Sequence, residues 1–255
     1  MRFFRLLFIL ALVFAASFWW ATDVPRLVEV RLERVFTAKD EPTPGERVLR
    51  LAALKTAVNT RLPKQHYLPL EAISPVLQQA IIAVEDNRFY HHIGIDINAI
   101  FRASLVNLQF GEVVEGGSTI SQQLIKNLFF SQDRTWSRKL EEAALALDLE
   151  LRYSKPEILE MYLNTIYFGE NAYGIGKAAA VYFNKPPHKL SLAEAALLAG
   201  LPNAPSIYSP YVDWNAAKRR QSVVLAAMLR NGYIDADAAA QARLEPLRLA
   251  RAGSS

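Results

Sequence analysis

Two adjacent carboxylates, Glu85 and Asp86, stand at the end of a segment that the sequence predicts to be a buried helix. Ser74 and Pro75 are typical of a helix start, and apolar residues recur at helical spacing from there to the acids. A helix carries partial negative charge at its C-terminus, so two acids are unfavourable there. Paired carboxylates in an unfavourable place indicate a site where a raised carboxyl pKa is useful. Two solvated acids at a helix end are the alternative.

A second polar cluster follows a Gly-Gly pair in the segment 115–127. Helical projection places Thr119, Gln123 and Lys126 on one face, so a hydroxyl, an amide and an ammonium lie in a row. The glycines allow the backbone to approach a ligand closely, and the N-terminus of the helix attracts anions. Because the Gly-Gly-Ser-Thr sequence lacks the spacing of a P-loop, a solvated helix face behind a flexible loop is the alternative.

Three cations, Arg134, Arg138 and Lys139, stand before or at the start of the next predicted helix. Cations at a helix N-terminus are unfavourable unless an anion, such as a pyrophosphate, lies among them. Glu142 lies further along the same helix, at the border of an otherwise apolar face. This position predicts either an acid of the site or a surface glutamate that pairs with Arg138.

The composition of the 255 residues limits the classes of protein to consider. With 51% hydrophobic and 21% charged residues, the chain can form one large domain or two small ones. The absence of cysteine excludes disulfides, thiol catalysis and zinc–thiolate sites, and the four histidines form no H-x-x-x-H pair. The net charge of +4 is compatible with an anionic membrane surface or a phosphate-bearing substrate.

The N-terminal sequence predicts a membrane anchor over residues 1–22, followed by a connector over 23–47. Arg2 and Arg5 precede an uncharged run over 6–21, and Trp19 and Trp20 are typical of an interfacial aromatic belt. No small-x-small cleavage site follows this run, so an uncleaved anchor is favoured over a signal peptide. The leading arginines favour an N-terminus in the cytoplasm, with the rest of the chain outside.

Helical signals dominate the remaining sequence, and no alternating strand pattern of useful length is present. The sequence therefore predicts a mostly α domain over residues 48–245 and a C-terminal tail over 246–255. A G-x-G-x-x-A match at Gly174 lacks βαβ context and indicates close packing rather than a dinucleotide site. Predicted helices run from Asp96 to Gly111, from Thr119 to Phe129, from Ser137 to Tyr153, from capping boxes at Ser154 and Ser191, from Asp213 to Gly232, and after Asp235.

Five stretches resemble, in order, the motifs of the family 51 glycosyltransferases, the peptidoglycan polymerases found alone or fused in class A penicillin-binding proteins. The first, 85–94, resembles E-D-x-x-F-x-x-H-x-G, and the third, 138–142, resembles R-K-x-x-E. The others lie at 117–127, 158–183 and 197–210. Five ordered motifs are far more specific than any one of them. The chain departs from the family pattern at residue 184, where asparagine stands in place of a frequent glycine.

The resemblance implies a lysozyme-like helical lobe with a smaller, membrane-facing lobe near residues 97–136. It also implies that the enzyme polymerises lipid II with inversion at the anomeric carbon and release of polyprenyl pyrophosphate. Glu85 is then the general base, and Glu142 is a second catalytic acid that assists departure directly or through a divalent cation. Residues implied to bind substrate are Asp86, Arg88, Phe89, His92, Ser118, Thr119, Gln123, Lys126, Asn127, Arg134, Arg138 and Lys139.

The small lobe is expected to dip into the membrane interface. The candidate contacts are Ile100, Leu105, Leu108, Phe110, Phe129 and Phe130, flanked by Arg102 and Lys126. Neither S-x-x-K nor K-T-G occurs in the sequence, so the transpeptidase half is expected to be absent and the enzyme monofunctional.

The expected partners are lipid II, the nascent glycan strand, the membrane and other proteins of cell-wall synthesis, with no nucleic acid. The expected location is the bacterial cytoplasmic membrane, with the catalytic domain outside. No cofactor is expected to be obligatory, and a role for Mg²⁺ or Mn²⁺ is left open. Two alternatives are a peptidoglycan-cleaving lysozyme or lytic transglycosylase, and an inactive membrane scaffold for cell-wall assembly. The cationic cluster argues against the first, and the presence of Glu85, Lys126 and Glu142 argues against the second.

Overall fold

The computed structural model describes residues 53–111, 116–130 and 136–250, with the side chain of Trp136 excepted. These ranges are helical, and their β pairing is limited to two isolated bridges, Ile93 with Ile95 and Tyr167 with Tyr173. The prediction of a mostly α fold is therefore confirmed. The predicted anchor and connector lie outside the described residues, and none of the described helices is long and apolar enough to cross a bilayer.

The described residues divide into two units, with the boundary after Arg61. The first contains α1 (Leu54–Arg61). The described helices of the second are α2 (Pro75–Glu85), α3 (Ile97–Phe110), α4 (Ile120–Phe129), α5 (Trp136–Arg152), α6 (Lys155–Thr165), α7 (Ile175–Phe183), α8 (Leu192–Gly200), α9 (Pro205–Tyr208), α10 (Trp214–Arg230) and α11 (Ala236–Leu244). Short 3₁₀ turns lie at Leu70–Ala72, Phe89–His91 and Pro187–Lys189.

Two groups of helices form the core of the second unit. In one group α2, α8 and α10 pack against one another, and in the other α4 packs against α5 and α6. Every residue of α8 from Ala193 to Gly200 is buried, and five of these eight residues are alanine or glycine. Small side chains allow helices to approach closely, which suits a central position between α2 and α10. The C-terminus of α2 and the face of α4 that carries Gln123 meet between the two groups of helices. The hydrogen bond from Gln123 to Glu85 joins them.

The predicted helix starts follow from local capping chemistry. Asp96, Thr119, Ser191, Asp213 and Asp235 each accept a hydrogen bond from a backbone N–H in the first turn of their helices. The two capping boxes predicted at 154 and 191 are present, and Thr119 forms a third with Gln122. The long helix predicted from residue 137 begins one residue earlier, at Trp136. The predicted starts are confirmed to within one residue. They could be predicted because each depends on residues only a few positions apart in the sequence.

The backbone at Asn184 and Gly174 explains two features of the sequence, a departure from the family pattern and a dinucleotide-like match. Asn184 ends α7 in the left-handed conformation (φ 51°, ψ 41°), which asparagine adopts more readily than other residues with a side chain. The residue can therefore replace the frequent glycine of the family. At Gly174 (φ 79°), an added Cβ would lie 2.6 Å from the carbonyl oxygen of Asn164. The G-x-G-x-x-A match therefore reflects close packing at a helix start, as expected.

The described part of the predicted C-terminal tail contacts the domain. The backbone N–H of Ala250 donates to the carbonyl oxygen of Tyr182 at 2.8 Å, and the Tyr211 hydroxyl donates to the carbonyl of Ala250 at 2.5 Å. These bonds hold residues beyond α11 against α7.

Helix α3 exposes most of its apolar side chains, and Ala103 is its one buried residue. Of the predicted membrane contacts, those on α3 are exposed, from 42% to 81% of their surface, and they are Ile100, Leu105, Leu108 and Phe110. Phe129 is only 8% exposed, so its prediction as a membrane contact is wrong. It belongs to the buried face that α4 turns toward the other helices, whereas Phe130 is half-buried.

Candidate active site

Glu85 ends α2 with a side chain that is only 8% exposed. Its Oε2 accepts a hydrogen bond from Nε2 of Gln123 on α4 at 2.9 Å. Its Oε1 lies 3.7 Å from Nη2 of Arg220 on α10 and accepts no hydrogen bond. One carboxylate oxygen is thus fixed by an amide, while the other is buried and its lone pairs accept no hydrogen bond.

Burial raises the pKa of the Glu85 carboxyl above its ordinary value. The hydrogen bond from Gln123 and the charges of Arg220 and Lys126 act in the opposite direction, and the neighbouring carboxylate of Asp86 adds to the rise. Burial is the largest of these effects. A buried carboxyl with a raised pKa, one oxygen that accepts no hydrogen bond and cations nearby has the properties of a general base.

The orientation of the Gln123 amide is set by Tyr162 on α6. Burial, followed by the charges of Glu85 and Asp86, raises the pKa of Tyr162 well above its ordinary value, so its hydroxyl stays protonated. This hydroxyl donates to Oε1 of Gln123 at 3.2 Å, which directs the amide nitrogen toward Glu85. Tyr162 is therefore a residue of the site that sequence reasoning missed.

Replacement of Tyr162 by phenylalanine is expected to reduce the free energy of unfolding by about 1–3 kcal/mol, because the buried oxygen of Gln123 loses its donor. Urea denaturation of the two proteins measures this difference. Tyr173→Phe is the matched control, since Tyr173 is 65% exposed and its loss of a hydroxyl should change stability by less than about 0.5 kcal/mol. Equal stability of the two variants would show that the Tyr162 hydroxyl does not hold the amide.

Asp86 and His92 form an internal cluster next to Glu85. Both carboxylate oxygens of Asp86 lie 3.0 Å from Nε2 of His92, and its Oδ2 also accepts the backbone N–H of Ile120 at 3.0 Å. Nδ1 of His92 lies 3.9 Å from a carboxylate oxygen of Glu150 on α5. Asp86 therefore ties the end of α2 to the start of α4. The assignment of both residues to substrate binding stays a prediction, since these side chains have partners within the domain.

Glu150 extends this cluster with residues that the sequence did not single out. It accepts a hydrogen bond from the hydroxyl of Ser121 at 2.5 Å and pairs with the ammonium of Lys155 at 2.7 Å. The same ammonium lies 4.4 Å from the ring centroid of Phe89, which is fully buried. Phe89 thus packs in the core beneath the cluster. Arg88 lies apart, with Nε 3.4 Å from a carboxylate oxygen of Asp96 at the start of α3.

Glu142 and Lys139 on α5 form a second cluster with Ser118. Glu142 is 2% exposed, so it is not a surface glutamate. The ammonium of Lys139 donates to the carboxylate of Glu142 and to the hydroxyl of Ser118, the latter at 3.0 Å. The neighbouring Thr119 hydroxyl donates to the carbonyl oxygen of Gly94 at 2.6 Å and caps α4. Three predicted residues, Glu142, Lys139 and Ser118, are therefore brought together.

A cleft of about 660 Å³ opens beside the face of α4. Gln123 contributes to its lining and donates to Glu85, so the cleft and the buried carboxylate adjoin. Lining residues that the sequence predicted are Gln123, Lys126, Asn127 and Arg138, whereas those it did not predict are Phe130, Thr165, Ile166, Tyr167, Tyr173, Pro202, Asn203 and Pro205. Arg134 lies outside the described residues. Cations and an amide on one side thus face aromatic and polar loop residues on the other.

Tyr167 and Tyr173 lie on a tight turn whose geometry was not predicted, and an isolated β-bridge joins them. Their ring centroids are 4.7 Å apart, and Gly169 and Gly174 between and after them adopt positive φ angles. A Cβ at Gly169 would lie 2.8 Å from the hydroxyl of Tyr182, so the turn is packed closely on α7. The aromatic pair is therefore held in a fixed place at the cleft.

A helical domain with a buried carboxylate beside a cation-lined cleft is suited to a transferase that acts on an anionic substrate. The sequence model of the family described as Transglycosylase matches residues 53–229, which are more than half of the chain. The chain therefore belongs to the transglycosylase family, and the resemblance to the family 51 glycosyltransferases is confirmed.

The relatives include much longer proteins. Penicillin-binding protein 1A of Aquifex aeolicus (strain VF5) is 47% identical over 186 residues, which are 73% of this chain and 26% of that protein. Penicillin-binding protein 2D of Bacillus subtilis (strain 168) is 41% identical over 219 residues, which are 84% of this chain and 32% of that protein. A crystal structure of penicillin-binding protein 1A from Haemophilus influenzae is 26% identical, with a TM-score of 0.45, and the match covers 74% of this chain and 19% of that one. This chain thus spans about a quarter to a third of the length of these two sequence relatives.

Proposed function

We propose that this domain is a peptidoglycan glycosyltransferase that joins the disaccharide units of lipid II into glycan strands. The observation that carries the proposal is Glu85, a buried carboxylate with a raised pKa and one oxygen without a hydrogen bond, next to the Gln123 that lines a cation-lined cleft. Membership of the transglycosylase family supports the reaction class. The proposed partners are lipid II and the nascent glycan strand, with other proteins of cell-wall synthesis as further candidates.

In the proposed reaction, a sugar 4-hydroxyl attacks an anomeric carbon that carries a lipid pyrophosphate. A new C–O glycosidic bond forms, the bond to the phosphate oxygen breaks, and the pyrophosphate leaves with its electron pair. An α-linked phosphate becomes a β-glycoside, so the attack inverts the centre and requires a base on the face opposite the leaving group. Oε1 of Glu85 accepts the hydroxyl proton, since Oε2 is already bound to Gln123.

Positive charge supports the departure of the pyrophosphate. Lys126 and Arg138 line the cleft, and their charges stabilise negative charge that develops on the leaving group. Lys139 has three N–H donors, of which Glu142 and Ser118 take two, so one donor is left for a phosphate oxygen. Arg134 remains a proposed member of this set on the basis of the motif alone.

In this scheme Glu142 acts through Lys139. Its carboxylate is buried against the ammonium, so it fixes the position of a cation that would otherwise be mobile. A divalent cation at Glu142 would have to displace this ammonium. No group of three histidine, aspartate or glutamate side chains within the described ranges is arranged to hold a metal. The donors at this position therefore fit an ammonium, and no step is assigned to a metal ion.

The test compares two substrates under one set of conditions. Detergent-solubilised full-length protein is incubated with labelled lipid II or with preformed glycan strands, and the products are separated by size. The proposal predicts polymer from lipid II and unchanged glycan strands. Fragments from the strands would favour the lysozyme or lytic transglycosylase alternative, and no product from either substrate would favour the inactive scaffold.

We further propose that the domain has a lysozyme-like helical lobe and that the exposed face of α3 belongs to a membrane-facing lobe. The proposed location is the outer side of the cytoplasmic membrane, with residues 1–22 as the anchor. Leu105, Leu108 and Phe110 expose 52%, 81% and 63% of their surface, and Arg102 lies on the same helix. Such a face can enter the interface of an anionic membrane, where burial of apolar surface contributes about 25 cal/mol per Å².

Deletion of residues 1–22 is expected to leave a folded protein that still associates with anionic vesicles, though more weakly than the full-length chain. Liposome flotation measures the bound fraction. Leu105→Ser with Leu108→Ser in the truncated protein should lower the partition coefficient onto vesicles by more than about tenfold, because each serine removes about 1–3 kcal/mol of apolar burial. A serine pair at Leu140 and Leu151, which are exposed on α5, is the matched control. A folded, truncated protein that stays wholly in the soluble fraction would contradict the proposal.

A further inference from the structure

Arg220 reaches Glu85 from a helix outside the five motifs. It lies on α10 with a side chain that is 16% exposed, and its Nη2 is 3.7 Å from Oε1 of Glu85. Its Nε donates to the carbonyl oxygen of Gly200 at 3.3 Å, and its guanidinium lies 5.6 Å from the ring centroid of Tyr208. The guanidinium is therefore held from α8 and α9 as it points toward the carboxylate.

Gly200 provides the space for this arginine. It is the last residue of α8 and is buried, and a Cβ at this position would lie 2.8 Å from Cγ of Arg220. Cγ is close to the backbone of α10 and has little freedom to move away. A side chain at residue 200 would therefore displace Arg220 from its path to Glu85.

The groups that face Glu85 leave one of its oxygens, the buried Oε1, without a hydrogen bond. Gln123, oriented by Tyr162, occupies Oε2, Asp86 is the adjacent carboxylate, and Lys126 and Arg220 supply positive charge. At 3.7 Å, Arg220 is too distant for a hydrogen bond to Oε1 but close enough for a strong electrostatic interaction. Burial raises the pKa of Glu85, and after the Gln123 hydrogen bond the charge of Arg220 is the next effect that lowers it.

We infer that Arg220 is a positioning residue that stabilises the charge of Glu85 and leaves the lone pairs of the buried Oε1 without a hydrogen bond. This inference rests on the proposed function, in which Glu85 is the general base. A direct hydrogen bond to Oε1 would occupy the lone pair that accepts the proton, whereas a cation slightly beyond hydrogen-bond distance stabilises the charge and leaves the lone pair available. The packing at Gly200 and Tyr208 sets that separation.

The test is the pH dependence of lipid II polymerisation by the full-length protein. Because the ionised form of Glu85 is active, the rate rises with pH through the pKa of this group. Arg220→Met removes the opposing charge, so the rising limb of kcat should move to higher pH. An opposite charge at this distance changes the ionisation equilibrium about tenfold or more. The variant should therefore lose up to about tenfold in kcat on the acidic limb of the profile, recover to within about threefold on the alkaline plateau, and keep its KM.

Matched variants separate this effect from general damage. Arg219→Met removes the same charge from an exposed neighbour on α10 and should keep the wild-type profile. Arg220→Lys retains the charge and should restore most of the rate on the acidic limb of the profile. Gly200→Ala displaces the guanidinium without removing it and should shift the profile in the direction of Arg220→Met. If Arg220→Met does not fold, Arg220→Gln, which retains a donor for the Gly200 carbonyl, replaces it.

A direct titration distinguishes failure of this inference from failure of the proposed function. In protein labelled with ¹³C at the glutamate carboxyls, the Glu85 signal is assigned by its loss in Glu85→Gln. The inference predicts that this signal titrates at higher pH in Arg220→Met than in the wild type, whether or not lipid II is polymerised. An unchanged titration, or an equal loss of rate at every pH, would overturn the role of Arg220. No polymer from lipid II with the wild-type protein would instead overturn the proposed function, whatever the titration shows.

Discussion

Replacement of Glu85 by glutamine is expected to lower the rate of lipid II polymerisation by about 10²–10⁴-fold or more, the range that follows the loss of a general base. The amide has nearly the same shape as the carboxyl, but it cannot take the proton of the acceptor hydroxyl. Its own oxygen can still accept the hydrogen bond of Gln123. Polymer yield at matched protein concentration measures the loss, and Glu71→Gln, at an exposed position, is the control for the same chemical change.

The stability of this variant separates a catalytic role from a structural one. Burial raises the pKa of Glu85 on folding, so above the unfolded pKa its ionisation opposes folding. At about pH 8 the glutamine removes that penalty, and the free energy of unfolding should not fall by more than about 1 kcal/mol. A folded Glu85→Gln protein with wild-type polymerisation would remove Glu85 from the mechanism.

Replacement of Lys126 by alanine is expected to lower turnover by about 10²–10³-fold, the effect seen when one group that stabilises transition-state charge is removed. Lys126 is exposed in the cleft next to Gln123 and Asn127, so its loss should leave the fold intact. The same variant should bind a phosphoglycolipid analogue of the donor more weakly, because the lost charge faces phosphate rather than sugar.

Two comparisons make the Lys126 result specific. Lys177→Ala removes an exposed lysine from α7, away from the cleft lining, and should retain wild-type turnover and binding. An analogue without phosphate should bind Lys126→Ala and the wild type equally well. If Lys126→Ala binds the phosphate-bearing analogue as tightly as the wild type, the assignment of Lys126 to the leaving group is wrong.

The helices could be predicted from the sequence because their signals are local. The capping residues Asp96, Thr119 and Asp213 stand within a few positions of the N–H groups that they bind, and helical spacing places Gln123 and Lys126 on one face. The same spacing predicted that Glu85 ends a buried helix. Local periodicity thus accounts for most of the fold and for one wall of the cleft.

The contacts that define the chemistry of Glu85 could not be predicted in this way. Tyr162 and Arg220 are distant from Glu85 in sequence, and their approach depends on how α6 and α10 pack around α2 and α4. Gly200 lies within the fifth motif, but its role could not be predicted, because that role is the space that it leaves for Arg220. These contacts depend on tertiary packing, which the helical spacing of residues within one segment does not predict.

The internal cluster of Asp86 and His92 illustrates a further limit of sequence reasoning. Charged residues next to a predicted catalytic acid suggest contact with substrate. In the structure, Asp86 uses its oxygens on His92 and on the first turn of α4, and Glu150 lies on the other side of the imidazole. Residues of a motif can therefore hold together the helices that carry the site. Residue type alone does not distinguish that structural role from substrate binding.

The most direct test of the central account is the stereochemistry and stoichiometry of one round of transfer. Labelled lipid II is incubated with the full-length protein, and the new glycosidic linkage and the released polyprenyl pyrophosphate are measured together. Attack assisted by Glu85 on the face opposite the leaving group predicts a β-linkage and one pyrophosphate released for each bond formed. An α-linkage, or pyrophosphate release that leaves the sugar covalently attached to the protein, would contradict a single inverting displacement with Glu85 as its base.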